Sequence, residues 1–461
     1  MKFALVCCGN EESYGLLFVG GELLLFNQEI KFFDAELTSI VDDIVEWNPD
    51  FICFSPMTTF FFYTKEISIK VKNRLSSVVS IFGGHHAFSA PDIINMDGVD
   101  IVVIGPVRGS INKILNCYKG IIKTCLTTPS DMPMPAREQY YKDIPRMATR
   151  YRKVMLSTLG CPWNCSYCSS SSSHITALHG VESYKRYYRE RRPMEAIMRE
   201  AKEILRLGET DEIEWSDDEI FSGSDVDVWI PEFAKRWEKE INIPLYLQTT
   251  SVFALRVSDE VLNSMKNIVN CIGMGIQAIR PESLKIYNRQ WDSEDKMKKA
   301  YDRYVSFGYS VNMQAIIGLP VEDPVEDAIE TIKGLQRIGA GSICSIYPLQ
   351  IYPGTAISKY CKENNIEMNK ISTGDTNAGI PNIKFAPKDV KRLRNLSKLG
   401  TMFVKHNVSE EWIRILMDVE FDEEISKKIS FMRYKECVMD RLKDRGEEVF
   451  KKILKTTKLR Y

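Results

Sequence analysis

The sequence predicts an α/β protein made of two successive series of strand–helix units followed by a helical region. Three observations carry this. Short runs rich in β-branched and aromatic residues recur along the first three quarters of the chain, with longer amphipathic stretches between them. A proline-rich break around Pro129, Pro133 and Pro135 splits the recurrence into two series. After Pro353-Gly354-Thr355 the strand signal stops, and Lys- and Glu-rich helical patterns such as Pro387 to His406 take over.

Composition bounds what such a chain can do. With 461 residues, 44% apolar and 27% charged, it is too long for a single core and too apolar for disorder. Lys plus Arg number 61 against 62 Asp plus Glu, a formal charge of −1, so no global field draws the protein to nucleic acid or anionic lipid. A small-molecule or peptide substrate is expected instead, with no nucleic-acid partner. The longest apolar stretches, Gly15 to Phe26 and Phe51 to Tyr63, are broken by Glu22 and by Ser55, Pro56, Thr58 and Thr59. Neither reaches the roughly 18 residues of a membrane helix, and no membrane span is expected. The opening Met1 to Val6 meets Gly9, Asn10, Glu11 and Glu12 too soon for a signal peptide and reads as a buried first strand. The twelve cysteines are unevenly spaced, which argues against a disulfide framework and for a cytoplasmic protein.

In the first series, strands are expected at Phe3 to Cys7, Ile30 to Phe33, Phe51 to Ser55, Val79 to Phe82 and Ile101 to Ile104. The spacing leaves room for one crossover helix each, which implies a parallel, doubly wound sheet of Rossmann-like or flavodoxin-like type over 1–125. Such a sheet binds ligands beyond the carboxyl ends of its strands. Those ends carry Gly9, Ser55, Gly83, Gly84, His85 and Gly105, in small loops that let a flat cofactor approach the backbone. Residues 126–150 read as an extended linker. The second series spans 151–360, with strands expected at Val154 to Ser157, Glu212 to Trp215, Leu245 to Gln248, Cys271 to Ile276, Val311 to Ile317 and Ile343 to Tyr347. Patterns such as Pro193 to Arg206 and Pro324 to Ile338 supply the helices, and six units of this kind imply a partial (β/α)6 barrel. Residues 361–461 form the helical region.

Just after the first strand of the second series lies Cys161-Pro162-Trp163-Asn164-Cys165-Ser166-Tyr167-Cys168, three thiols at CxxxCxxC spacing. Three soft ligands on one loop wrap a metal. On a cubane iron–sulfur cluster they leave one iron without a protein ligand, free to bind something else. A structural Cys3His zinc site with His174 or His179 is the competing reading. A zinc knuckle, however, does not require a strand before it and five further strand–helix units after it.

This arrangement resembles the radical S-adenosylmethionine (SAM) superfamily. The resemblance implies a [4Fe–4S] cluster on Cys161, Cys165 and Cys168. Its open iron would be chelated by SAM, which is cleaved reductively to a 5′-deoxyadenosyl radical, and an electron donor such as flavodoxin or ferredoxin is implied. It places Tyr167 near adenine. The acidic loop after the second barrel strand, with Asp217 and Asp218, resembles a family segment facing SAM or substrate; a helix cap is the alternative for either carboxylate. Thr249 and Ser251 end the third strand. Gly273 to Ala278 resembles the family's fourth-strand motif, with Gln277 toward the SAM ribose or carboxylate and Ala278 where the family often has Ser. Gln314 with Gly318-Leu319-Pro320, and Pro353-Gly354-Thr355, resemble the fifth- and sixth-strand signatures. The basic run Lys185 to Pro193 resembles a family stretch before the next helix, with RNA contact as the weaker reading.

A Rossmann-like domain ahead of such a barrel resembles the cobalamin-binding class of the superfamily. Gly83-Gly84-His85-His86 and Asp100 to Gly105 resemble its motifs, although Pro106-Val107-Arg108-Gly109 replaces the usual acidic loop. The D-x-H-x-x-G motif that supplies an axial histidine is absent, so cobalamin would be held base-off, or the domain has kept the fold and lost the cofactor. His85 and His86 are not assigned to cobalt. The resemblance implies a cobalamin-dependent radical SAM methyltransferase. A non-methylating rearrangement or ring-forming oxidation, and a non-enzymatic cobalamin or metal sensor, are the alternatives. Trp412 and Phe431-Met432-Arg433-Tyr434 either cap the cavity or pack as ordinary helix surface.

Overall fold

Runs such as Val79-Ser80-Ile81-Phe82 and Ile101-Val102-Val103-Ile104 are apolar on both alternating faces, the pattern of a strand covered by helices on each side. The computed structural model describes residues 1–456 except 10, 117, 125–127, 173–174, 177–179, 181–184, 186–187, 372–379 and 443–444. Its first sheet contains β1 (Lys2–Cys7), β2 (Glu29–Asp34), β3 (Phe51–Phe54), β4 (Val79–Phe82), β5 (Ile101–Ile104) and β6 (Gly120–Lys123). All pair in parallel in the order β2-β1-β3-β4-β5-β6. The chain reverses its direction of winding at the seam between β1 and β3, where ligands bind in doubly wound folds. Five of these strands match the expected positions. The sixth, β6, was missed because it is a short edge strand with only Ile122 fully buried.

The second sheet contains β7 (Arg152–Met155), β8 (Glu212–Trp215), β9 (Leu245–Thr250), β10 (Val269–Gln277), β11 (Ser310–Ile317) and β12 (Cys344–Pro348). Its parallel strands lie side by side in sequence order. Helices such as Met194–Leu207, Val226–Glu240 and Pro324–Gly339 cover one face, and the sheet curls into the expected partial barrel. β7 begins two residues before its expected start. After β12 the chain is helical, through Pro387–Lys405, Glu410–Leu416, Glu423–Leu442 and Gly446–Thr456. Among the described residues no helix is long and apolar enough to cross a membrane.

The segment expected to be an extended linker is instead partly helical, with Arg137–Asp143 and Pro145–Ala148. Its Tyr140, Tyr141, Ile144 and Met147 join one apolar cluster that runs from Phe3 and Phe32 in the first sheet to Val154 and Leu156 at the barrel. The prolines stop a helix only near 129–135; beyond them, apolar side chains at helical spacing find a surface to cover. Arg137 is fully buried in this seam. It donates to Glu12 at 3.2 Å and to Glu200 at 2.7 Å, and Arg192 donates to Glu200 at 2.7 Å. Burial alone would raise the Glu12 carboxyl, but Arg137 and Lys153 beside it hold it below its usual range. Removing one member would strand a charge in the interior, so this lattice fixes one sheet against the other.

Candidate active site

Between the carboxyl ends of the first sheet and the mouth of the barrel lies a cavity of about 620 Å³, within the range of cofactor and small-molecule sites. One wall is made by Ser55, Gly83, Gly84, His85 and Gly105, and the other by Thr158, Gly160, Ser170, Ser216 and Asp218. Glycine is required at 84: its φ is +74°, and a Cβ there would collide with the Ser55 hydroxyl. Of the two adjacent histidines only His85 reaches the cavity. His86 turns inward, with Nδ1 3.1 Å from the Thr58 hydroxyl and its ring 4.2 Å from that of Phe61. Burial lowers its pKa to about 4. Gly9, expected at the cofactor, is not among the lining residues. Its amide donates to Glu36 at 3.0 Å, and its φ of +82° serves the turn that leaves β1.

The cysteine loop sits at the barrel mouth, pinned by the turn that ends the short helix Pro281–Ile286 after β10. Ser166 donates its amide to Tyr287 O (3.0 Å) and its hydroxyl to Ile286 O (2.6 Å), while Asn288 donates to Asn164 O (2.7 Å). From the same turn comes Arg289, which is buried. Its guanidinium reaches Cys165 Sγ at 3.8 Å, donates to Gly275 O at 2.6 Å and to Asp292 at 3.1 Å, and lies 4.4 Å over the Trp291 ring. Trp291 in turn stacks on Trp163 at 4.3 Å. The amide of Trp163 faces Cys161, and the amide and hydroxyl of Ser170 face Cys168. Burial pushes the Cys168 thiol up to about 12 and Cys161 well above its usual range. Tyr167 packs edge-on against Tyr287 at 4.9 Å, and burial raises its phenol. Three thiols on one loop, each met by an N–H, hydroxyl or guanidinium donor, suit an iron–sulfur cluster, whose sulfurs accept such hydrogen bonds. His174 and His179, the fourth ligands of the zinc reading, lie outside the described residues. Among the described residues, no three His, Cys, Asp or Glu side chains converge to hold a single metal ion.

The carboxylates after β8 divide by backbone parity. Asp217, expected to face SAM or to cap a helix, does neither. It is buried and accepts from the Ser157 amide (2.5 Å), the Thr158 amide (2.9 Å) and the Ser157 hydroxyl, with Arg191 at 3.7 Å. It therefore locks the turn that leaves β7. Asp218 lines the cavity; burial raises its carboxyl, while His85 opposes that rise. Glu219, which sequence reasoning passed over, accepts from Thr249 (2.6 Å) and from the Thr250 amide and hydroxyl (3.0 Å each), and burial raises it to about 7. Thr249 is thereby committed to Glu219, and Ser251 to Asp292 at 2.6 Å, so both brace the site from behind. Gln277 has a φ of +70° at a register shift in β10, a strained turn, and its amide lies back beside Gly275. Gln314 lies deeper, donating to the Tyr246 hydroxyl at 3.0 Å.

Two arginines of the basic run are buried. Arg191 donates to Ser157 (3.0 Å) and Ile220 O (2.8 Å), and Arg192 to Glu200 and Leu156 O, so neither is presented to RNA. Phe431 and Tyr434 pack against Phe450, and Trp412 stays 58% exposed, which is ordinary helix packing. Arg289 escaped the sequence reading because it lies far along the chain from the cysteines, in a polar turn with no pattern of its own.

Residues 155–335 match the sequence profile of the Radical SAM superfamily. The chain is similar to a hopanoid C-3 methylase from Methylococcus capsulatus, with 26% identity over 315 residues, 60% of this chain and 56% of that protein, so it spans little more than half of this relative. In fold it is similar to the radical SAM methyltransferase TsrM from Kitasatospora setae, solved with cobalamin and a [4Fe–4S] cluster bound. That likeness has a TM-score of 0.60 at 13% identity and covers 84% of this chain and 79% of that one. The cobalamin-dependent SAM radical enzyme OxsB, solved with aqua-cobalamin, has a TM-score of 0.64 at 13% identity, covering 98% and 75%.

Proposed function

From the match of residues 155–335 to the Radical SAM superfamily profile we propose that this chain is a cobalamin-dependent radical SAM methyltransferase. The observation that carries the reading is the single cavity whose two walls are the glycine loops of the doubly wound sheet and the barrel mouth beside the cysteine loop. When bound, the cluster and SAM supply a carbon-centred radical and cobalamin supplies a methyl group.

The protein's share is alignment and exclusion of water. Cys161, Cys165 and Cys168 hold the cluster, and Arg289 sets positive charge and a hydrogen bond against Cys165. Asp218 presents a carboxylate at the mouth, where SAM would bind, and Gln277 stands at the end of β10 beside it. Ser55, Gly83, Gly84 and Gly105 would hold the corrin, since their small side chains leave the backbone open to the cavity, and His85 reaches the same cavity. The buried Glu12–Arg137–Glu200 lattice keeps the corrin wall and the cluster wall in register. The substrate is a small molecule or peptide, and the reaction calls for an electron donor such as flavodoxin or ferredoxin.

Anaerobic reconstitution with iron, sulfide and hydroxocobalamin tests the proposal. The expected result is bound iron together with corrin absorption, followed by 5′-deoxyadenosine when SAM and reductant are added and by a product heavier by one methyl when a cell extract supplies the methyl acceptor. Iron without corrin would remove the cobalamin half; purified protein that carries zinc and takes up no iron would remove the whole.

A further inference from the structure

In a curled sheet, side chains alternate between the helix layer and the lumen. Here the outward set is a continuous apolar core: Ile213 and Trp215 on β8, Leu245 and Leu247 on β9, Ile272 and Met274 on β10, and Val311 and Met313 on β11 are all buried. The inward set is different in kind. Beside the apolar Ile316 on β11, it includes Glu214 on β8, Gln248 on β9, Gln314 on β11, and Ser345 and Tyr347 on β12. All are at least partly accessible, Tyr347 being 37% exposed.

Glycines 273 and 275 keep the β10 face of the lumen free of side chains. A Cβ at 273 would run into the Tyr246 hydroxyl and the Gln314 amide. Tyr246 accepts from Asn312 (3.2 Å) and Gln314 (3.0 Å), and Ser345 donates to Asn312 (3.2 Å), so the deep layer is an ordered hydrogen-bonding floor. Below it Arg441, from the helix Glu423–Leu442, lies 4.2 Å over the Tyr246 ring and pairs with Glu212, closing the amino end of the barrel. Access is from the mouth, where Glu214 and Ser216 also line the cavity between the sheets.

The geometry points to a polar substrate held in this lumen: a water-soluble small molecule bearing hydroxyl and amide groups, hydrogen-bonded by Gln248, Gln314, Ser345 and Tyr347. This rests on the methyltransferase reading and names the substrate class of that site. It sets the chain apart from the relative named for a hopanoid. A polycyclic hydrocarbon would leave the accessible Gln248 amide without a partner, and a site built to hydrogen-bond its ligand rejects one that lacks the partners.

The test is retention of ligands by the reconstituted full-length protein. Aqueous and chloroform extracts of the same cells are each incubated with it, and retained compounds are identified by mass spectrometry. We expect retention from the aqueous extract, reduced at least ten-fold in Gln248→Leu and in Ser345→Val. Retention from the chloroform extract, retention undiminished in both variants, or no retention from the aqueous extract would each overturn the inference. Iron and corrin content measured on the same samples separates this outcome from failure of the functional proposal: a fully loaded protein that retains a lipid sinks only the substrate class.

Discussion

The two six-stranded sheets offer chemistry in opposite places. In the first, β3, β4 and β5 are buried along their whole length, because helices cover both faces. Only the loops beyond the strand ends are left for a ligand, and those loops are glycine-rich. In the second, helices cover one face, and curling turns the other into a lumen that is itself lined with polar groups. Both kinds of parallel sheet bind beyond the carboxyl ends of their strands, and the curled one here adds a polar inner face. The cavity at 620 Å³ lies where the two rims meet.

The largest expected effect is on the barrel rim. Arg289→Met removes the guanidinium from Cys165 and leaves the Asp292 carboxylate buried without its cationic partner. Because the pair is almost fully enclosed, a loss of about 3–5 kcal/mol in unfolding free energy is expected, with lower iron occupancy after reconstitution. Denaturant titration and iron analysis check it. Unchanged stability would mean that the cysteine loop does not depend on the turn after β10.

Next comes a contrast in pH dependence. His86, in the first sheet, has its folded pKa lowered from 6.5 to about 4, so its neutral form is favoured by folding. The stability it contributes is full above pH 6.5 and is lost as pH falls toward 4. Glu219, at the barrel, has its folded pKa raised from 4.5 to about 7, so its contribution is full below pH 4.5 and is lost as pH rises through 7. Each amounts to about 3 kcal/mol at most. Peptide-level hydrogen exchange between pH 4 and 8 should show the first sheet loosening on acidification and the barrel mouth loosening on alkalinisation. His86→Phe and Glu219→Gln should each flatten their own region alone.

A smaller effect is expected at the other rim. Gly84→Ala forces a side chain into a left-handed conformation and against Ser55, costing about 1–3 kcal/mol. Hydroxocobalamin titration should show weakened corrin binding, with cluster absorption unchanged. Smallest of all is Trp412→Ala, an exposed position where a change within about 0.5 kcal/mol is expected from thermal denaturation.

Much of this was legible in the residues. Val79–Phe82 and Ile101–Ile104 are strands at the limits their apolar runs predict, and Glu212–Trp215 at the limits its alternation predicts, since pattern and burial agree there. β6 was hidden because an exposed edge strand lacks the apolar run that marks a central one. The triad was legible because its spacing is local. Asp217 and Asp218 were not separable, because neighbouring residues of the same type differ only in which way the backbone points them.

The sequence by itself determined the order of strands and helices, the break between the two series, and the loop of three thiols, all of which are local along the chain. The tertiary structure alone decided that Arg289 meets Cys165, that Asp217 serves a turn while Asp218 faces the cavity, and that 137–148 welds the two sheets together. Those facts depend on contacts between residues far apart in the chain, and such contacts are set by how buried surfaces pack and where buried charges find partners.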